Sequence, residues 1–171
     1  LDLRKPHPAY SALCVVARAE HRYIKEWLQY HKCLGVDRVY LYDHLPTNKS
    51  TPMQPIVQDW MDEGFLVYST ITGQHQRYQK GYSSNLERFM TTIQGRAYQD
   101  CLSRFSSQHD FMGFIDVDEF IVLSGVDRNI NTLLKKYEKY AGLSMYWRLL
   151  GSSGHSLSPT GSVTQEYTQC L

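Results

Sequence analysis

The sequence lacks the features that mark several classes of protein. No apolar run reaches the roughly 18 residues that a membrane-crossing helix needs, and the start, Leu1-Asp2-Leu3-Arg4, does not resemble a secretion signal. The 18 basic and 17 acidic residues leave a formal net charge of +1, and Lys and Arg are not clustered. Because binding to a nucleic-acid backbone needs a strongly basic surface, we expect no nucleic-acid partner.

The four cysteines include no Cys-x-x-Cys pair, which argues against a zinc ribbon or a thioredoxin-type motif. Cys14, Cys33 and Cys101 fall on the apolar faces of predicted elements, where a reduced, buried cysteine packs as a small hydrophobic residue. We therefore expect these three to be reduced and buried. A disulfide stays open as an alternative, because four cysteines, including Cys170, allow three pairings that the sequence does not separate.

The chain has the length and composition of one globular domain. It contains 171 residues, of which 42% are hydrophobic and 20% charged, and it shows no internal repeat. A chain of this length buries well over half of its unfolded surface around a single core. One folded domain is therefore the expectation.

Apolar runs alternate with segments of helical periodicity. Residues 12–17 form a continuous apolar run that predicts a buried strand, and residues 24–31 show helical spacing that ends at Gly35. Later segments repeat this alternation, with strands predicted at 39–42, 65–68 and 111–115 and helices at 56–61, 84–104 and 130–137. The order predicts an α/β fold, with a mostly parallel sheet and helices on both faces. A last strand is predicted at 143–149, where apolar residues alternate with polar ones.

Three acidic residues follow the fourth predicted strand, in the run Asp116-Val117-Asp118-Glu119-Phe120. In open α/β sheets, ligands bind outside the carboxyl ends of the parallel strands. Two carboxylates separated by one residue can share Mn²⁺ or Mg²⁺ and leave positions for water and phosphate oxygens. Asp116 and Asp118 are therefore candidate metal ligands. Glu119 is expected either to orient metal-bound water or to accept backbone hydrogen bonds.

The acidic run is also compatible with other kinds of turn or site, most of which the surrounding sequence disfavours. A solvated, inert turn is common after strands, but three like charges between two apolar segments repel one another and favour a bound cation. An EF-hand loop is excluded because its Asp-x-Asp-x-Asp-Gly pattern is absent. A haloacid-dehalogenase-type phosphatase has its Asp-x-Asp after the first core strand and a Thr or Val where Phe120 stands here. A non-catalytic nucleotide- or carbohydrate-binding fragment stays open.

Several separated segments together resemble one known family. They are Glu20 with Glu26-Trp27 and Tyr30-His31, Leu34-Gly35-Val36, Tyr40-Leu41-Tyr42-Asp43, Asp100-Cys101-Leu102, the run Asp116 to Phe120, Tyr146-Trp147-Arg148, and Gly151 to His155. In this order they resemble glycosyltransferase family 92, a branch of the GT-A glycosyltransferases. The resemblance implies a Rossmann-like GT-A fold. It also implies metal-dependent, inverting transfer of a hexose, with galactose favoured, from a UDP-sugar to a glycan hydroxyl.

The resemblance also implies roles for single residues. Donor contacts are implied for five residues at strand ends: Ala17, Arg18, Glu20, Asp43 and Asp116. Mn²⁺ or Mg²⁺ would be held by Asp116 and Asp118. Contacts to the sugar or acceptor are implied for Trp147, Gly154 and His155. Inversion needs a general base to take the proton of the acceptor hydroxyl, and Glu166 is the candidate.

Further expectations concern regions around the site. The polar stretch 69–82, with Arg77 and Lys80, is a candidate lid over the donor diphosphate. Ala19 stands where relatives often carry Asn or Asp. The resemblance implies a single glycosyltransferase domain over residues 1–171 that lacks part of its C-terminal acceptor-binding side. It further implies a type II membrane protein of the Golgi lumen, whose membrane contact would come only through a segment absent from this chain.

Overall fold

The computed structural model describes residues 9–73 and 84–170 and shows a layered α/β architecture. The candidate lid residues Arg77 and Lys80 lie outside the described residues. In chain order the elements are β1 (Ser11–Ala17), α1 (Ile24–Leu34), β2 (Arg38–His44), α2 (Gln54–Asp62), β3 (Leu66–Ile71), α3 (Asn85–Met90), α4 (Ile93–Phe105), β4 (Phe111–Phe114), α5 (Ile130–Lys135) and α6 (Val163–Glu166). A short 3₁₀ turn, Ser106–Gln108, follows α4.

The four strands form one sheet in the order β3-β2-β1-β4, and every neighbouring pair is parallel. At the carboxyl ends, Ala17 of β1 is in register with Asp43 of β2. On the other side of β1, Cys14 is in register with Phe114 of β4. The predicted Rossmann-like α/β fold with a parallel sheet is therefore confirmed, and so are its first four strands.

Side chains alternate between the two faces of the sheet, as the period of a strand requires. Leu13, Val15 and Ala17 of β1 belong to a core cluster that also contains Trp27 and Leu28 of α1 and Val57 of α2. Ala12 and Cys14 belong to a second cluster with Ala97 and Cys101 of α4. Helices therefore cover both faces, as predicted. The near-continuous apolar runs of β1 and β2 follow from this two-sided burial.

A disulfide joins Cys14 of β1 to Cys101 of α4, two residues separated by 87 positions. The expectation that both are buried is confirmed, but the expectation that they are reduced is wrong. They meet because alternate residues of β1 and successive turns of α4 face each other across the second core cluster. Cys33 is a free thiol, as expected, but the expectation that it is buried is wrong, since it is exposed on α1.

The long helix predicted at 84–104 is divided into α3 and α4 at Thr91 and Thr92. Thr92 has an extended backbone, with φ of −72° and ψ of 162°, and its Oγ1 accepts a hydrogen bond from the Gly95 N–H at 3.0 Å. This side chain caps α4, an alternative to continued helix that Thr offers the backbone. Gly95 permits the close approach, because a Cβ there would lie 2.1 Å from the Phe89 carbonyl oxygen.

The strand predicted at 143–149 is not formed. Residues 143–149 have no strand pairing, and the neighbouring Leu150 makes an isolated antiparallel bridge with Cys170. The whole stretch is exposed, with Trp147 at 80% and Leu149 at 64% of full exposure. A period-two pattern specifies a strand only where a neighbouring strand supplies the hydrogen-bond partners.

Among the described residues, no helix is long and apolar enough to span a bilayer.

Candidate functional site

A cleft of about 290 Å³ opens where the carboxyl ends of β1, β2 and β4 meet. It brings together four of the five predicted donor residues and the second metal candidate: Ala17, Arg18, Glu20, Asp116 and Asp118. The sheet order explains this meeting, because β1 lies between β2 and β4 and all three strands run in the same direction. The site therefore assembles from segments that lie about 100 residues apart in the chain.

The acidic residues sit on a tight turn directly after β4. The Asp116 N–H donates to Glu119 Oε2 at 2.9 Å, and the Glu119 N–H donates to the Asp116 carbonyl at 3.1 Å. Glu119 thus closes the turn as a backbone acceptor, the second of the two roles expected for it. Val117 points into the core with 5% exposure, while Asp118 is exposed on the cleft side.

Negative charge is concentrated in this cleft. The pKa of Asp116 is raised, first by burial and then by the charges of Glu119 and Asp118. Burial, together with the charge of Asp118, also raises the pKa of Glu20. Both shifts mean that the ionised forms are disfavoured where they stand. A cation in the cleft would relieve this repulsion.

The carboxylates fit a hard divalent cation that is shared with a ligand. Across residues 9–73 and 84–170, no three His, Cys, Asp or Glu side chains are grouped to hold a metal by themselves. Asp116 and Asp118 supply two carboxylates to one cleft. Mg²⁺ and similar ions are commonly bound by one or two carboxylates plus water and phosphate oxygens, rather than by an all-protein cage.

Gln94 is a site residue that no sequence motif indicated. Its Nε2 donates to Asp116 Oδ1 at 2.7 Å and to the Tyr98 hydroxyl at 3.1 Å. Gln94 lies in the first turn of α4 and, with Ile93 and His44, helps to line the cleft. The available signal was the capping Thr92, which places the start of α4 at the carboxyl edge of the sheet.

Asp43 lies at the predicted strand end, but it does not line the cleft. It is 1% exposed, and its Oδ2 accepts hydrogen bonds from the Met53 N–H at 2.7 Å and from the Tyr68 hydroxyl at 2.5 Å. These bonds tie the start of α2 and strand β3 to the end of β2. Its Oδ1 has no hydrogen-bond partner among the described residues.

The predicted acceptor-side residues lie outside the cleft lining. Trp147 is 80% exposed, and Gly154 has a φ of 85° in the loop that follows. His155 Nε2 lies 3.3 Å from Glu166 Oε2, so the general-base candidate is paired with the neighbouring sugar-site candidate. His155 and Glu166 are half-buried, unlike Trp147.

The C-terminal segment is anchored to α1 by Glu26. The Glu26 carboxylate accepts hydrogen bonds from the Ser162 hydroxyl at 2.5 Å and from the Val163 and Thr164 N–H groups at 2.8 and 3.0 Å. Burial opposes ionisation, but these hydrogen bonds outweigh it and lower the pKa of Glu26. The anchor lies in the first turn of α1, shortly after the cleft residue Glu20. It therefore ties the segment just before Glu166 to the first turn of α1.

A parallel sheet with helices on both faces defines a Rossmann-like α/β protein. The acidic cleft lies at the carboxyl edge of the sheet, where open α/β folds bind their ligands. The sequence profile of glycosyltransferase family 92 matches residues 11–169. The chain belongs to glycosyltransferase family 92, which confirms the resemblance seen in the sequence.

Three plant relatives carry the same family name. A family 92 protein of Ricinus communis is 25% identical over 170 residues, covering 97% of this chain and 27% of the relative. One of Oryza sativa subsp. japonica is 27% identical, covering 96% and 25%. One of Arabidopsis thaliana is 24% identical, covering 87% and 23%. The chain thus spans about a quarter of the length of these curated relatives. No solved structure matches the chain significantly.

Proposed function

We propose that the chain is the donor-binding part of a metal-dependent, inverting glycosyltransferase that takes a UDP-hexose, with galactose as the sugar, and transfers it to a glycan hydroxyl. The cleft that gathers Arg18, Glu20, Asp116 and Asp118 at the carboxyl ends of β1 and β4 carries the proposal. Family membership supports the reaction class. The alternating position of the two aspartates supports the use of a cation with the diphosphate.

Each cleft residue has a chemical task in this proposal. Glu20 accepts hydrogen bonds from the ribose hydroxyls, and Arg18 supplies a cationic side chain at the cleft mouth. Asp116 and Asp118 hold Mn²⁺ or Mg²⁺, which when bound neutralises the diphosphate leaving group. Gln94 keeps Asp116 oriented through its 2.7 Å hydrogen bond. Ala17 leaves room beside the strand end for the nucleotide.

Glu166 is proposed as the general base that accepts the proton of the acceptor hydroxyl. Its carboxylate lies 3.3 Å from His155 Nε2, so the imidazole can orient it. The Glu26 anchor keeps this segment on the helix that begins just after Glu20. Trp147, with its exposed ring, is the proposed platform for a sugar.

A thermal-shift experiment tests donor binding. UDP with Mn²⁺ at about 100 times Kd should add about 2.7 kcal/mol to the free energy of unfolding of the wild-type chain. Asp118→Asn should abolish the Mn²⁺-dependent part of the shift. Asp59→Asn, at an exposed position of α2, is the matched control and should respond as wild type does. An equal shift in Asp118→Asn and wild type would overturn the proposed metal site.

A turnover experiment tests the reaction. UDP-galactose with a β-galactoside acceptor should release UDP, and Glu166→Gln should slow release by about 10²–10⁴-fold while leaving UDP–Mn²⁺ binding unchanged. Binding without turnover with any acceptor would leave a donor-binding module instead. Cleavage of a simple phosphomonoester would instead support a haloacid-dehalogenase-type phosphatase. That function is disfavoured because the acidic turn follows the fourth strand in chain order.

A further inference from the structure

The segment that follows the acidic turn has no regular backbone hydrogen bonding of its own. β4 ends at Phe114, and residues 115–129 form neither helix nor strand. Val117 and Ile121 are nevertheless buried, at 5% and 7% exposure. Buried backbone N–H and C=O groups need hydrogen-bond partners, so other parts of the chain must supply them.

One face of α1 supplies three of these partners. The Trp27 indole N–H donates to the Glu119 carbonyl at 2.8 Å, and the Tyr30 hydroxyl donates to the Ile121 carbonyl at 2.8 Å. The Ile121 N–H donates to His31 Nε2 at 3.4 Å. Residues spaced by three and four positions lie on the same side of a helix. One side of α1 therefore makes all three hydrogen bonds to residues 119 and 121.

The third contact is possible because His31 is neutral with one defined tautomer. His31 is fully buried, and this burial lowers its pKa to about 4. Its Nδ1 lies 2.9 Å from the Trp27 carbonyl, which can only accept, so Nδ1 carries the proton. Nε2 is then left free to accept from Ile121. The ring also stacks on Phe120, with centroids 6.0 Å apart.

We propose that Trp27, Tyr30 and His31 are positioning residues for the acidic turn, a proposal that rests on the proposed metal and diphosphate site. Asp118 makes no hydrogen bond to any described residue, so the direction of its carboxylate depends on the backbone on either side. The Trp27 contact fixes that backbone one residue later, at Glu119. Tyr30 and His31 fix it again at residue 121.

A purely structural role for this face of α1 makes a different prediction. If the role were purely structural, removing one of these contacts would lower only the stability of the chain. If the role is positioning, removing it weakens cation binding by more than the loss of stability explains. Tyr30→Phe separates the two, because it deletes only the hydroxyl and keeps the ring that packs edge-on against Phe120 at 5.0 Å. Tyr10→Phe is the matched control. The Tyr10 hydroxyl donates to Glu138 Oε1 at 2.7 Å, at the opposite edge of the sheet.

The experiment measures Mn²⁺ affinity in the presence of UDP for the full chain and both variants. Tyr30→Phe should raise the Kd for Mn²⁺ about 10-fold, as is typical when a group that orients a metal ligand is lost. Tyr10→Phe should change it less than about 2-fold, the behaviour of a distant, independent site. A Kd for Mn²⁺ in Tyr30→Phe equal to that of wild type would overturn the positioning role.

Hydrogen exchange of the metal-free chains gives a second readout that does not depend on the donor. Amides of residues 117–122 should exchange faster in Tyr30→Phe than in wild type, while the amides of β2 stay unchanged. Unchanged exchange at residues 117–122 would overturn the inference even if Mn²⁺ binds. If wild type binds no Mn²⁺ with UDP, the proposed function fails, and the exchange data still decide whether α1 holds the turn.

Discussion

Gln94 and Asp116 are joined by a hydrogen bond of 2.7 Å between Nε2 and Oδ1, which links α4 to the acidic turn after β4. The other oxygen of Asp116, Oδ2, accepts no hydrogen bond from any described residue. The contact therefore occupies one carboxylate oxygen and leaves the second for a ligand. It also lowers the pKa of Asp116, against the larger opposing effects of burial and neighbouring negative charge.

Replacing Gln94 should weaken donor binding without much loss of stability. Gln94→Leu keeps the size of the side chain but removes the donor, so Asp116 loses its fixed orientation. We expect UDP affinity at saturating Mn²⁺ to fall about 10-fold, measured by calorimetry. Gln58→Leu removes a similar Gln–Asp bond, from Gln58 to Asp62 at 2.8 Å on α2. A comparable loss of affinity in both variants would contradict the prediction.

The Cys14–Cys101 disulfide should contribute strongly to stability. It closes a loop across 87 positions, and such a link is worth about 2–5 kcal/mol, mainly through the unfolded state. The double variant Cys14→Ala with Cys101→Ala should therefore melt about 5–15 °C lower than wild type in a calorimetric scan. Cys33→Ser, which changes an exposed free thiol, should melt as wild type does. Equal midpoints in all three chains would refute the stabilising role.

The buried His31 should make stability fall as the solution becomes acidic. Its pKa is about 4 in the folded chain, against an ordinary value of 6.5. Below pH 6.5 the imidazole of the unfolded chain binds a proton that the folded chain does not bind until the pH is about 4. The stability that depends on neutral His31 is therefore fully present above pH 6.5 and is lost as the pH falls towards 4. Between about pH 7.5 and 5 the loss should be about 2 kcal/mol in urea unfolding.

The matched variant for this pH dependence is His31→Gln, which removes the titrating ring. Burial and neighbouring negative charge raise the pKa values of Glu20 and Asp116, so protonation of these carboxylates makes the folded chain more stable as the pH falls. The difference between wild type and variant cancels these contributions. The variant should have lower stability at neutral pH but a flatter dependence on pH. Parallel curves for the two chains would show that His31 is not the source.

Ala19 is held in a backbone conformation that suits other residues better. Its φ is 59°, in the left-handed region that Asn, Asp and Gly adopt more readily than Ala. Ala19→Gly should raise the free energy of unfolding by about 1 kcal/mol in urea titrations, and Ala19→Val should lower it. The opposite order would contradict this account.

The sequence predicted the central architecture well because burial on both faces leaves a strong pattern. The apolar runs of the buried strands β1 and β2 are nearly continuous, and the turn after β4 concentrates charge where the fold places ligands. These are local signals that need no knowledge of distant contacts. Of the site residues that the family resemblance implied at strand ends, Asp43 does not line the cleft, whereas the others do: Ala17, Arg18, Glu20, Asp116 and Asp118.

The failures each depended on a contact that lies far away in sequence or on a local competition. The Cys14–Cys101 pair could not be chosen, since pairing depends on how α4 lies on the sheet. The break at Thr92 arose because its side chain caps α4 in place of continued helix. Gln94 carries no motif and is recognised only by its distance from Asp116. Residues 143–149 alternate correctly but lack a pairing strand.

The strand order β3-β2-β1-β4 places the shortest of the four strands at the end of the sheet, and that strand leads into the acidic turn. An end strand of four residues, Phe111–Phe114, is the part of such a sheet most readily released by local opening. Detachment of β4 would loosen the acidic turn on its strand side, leaving it held by α1 and Gln94, while β1, β2 and β3 stayed paired. On warming, binding of the proposed donor should therefore weaken before the secondary structure is lost.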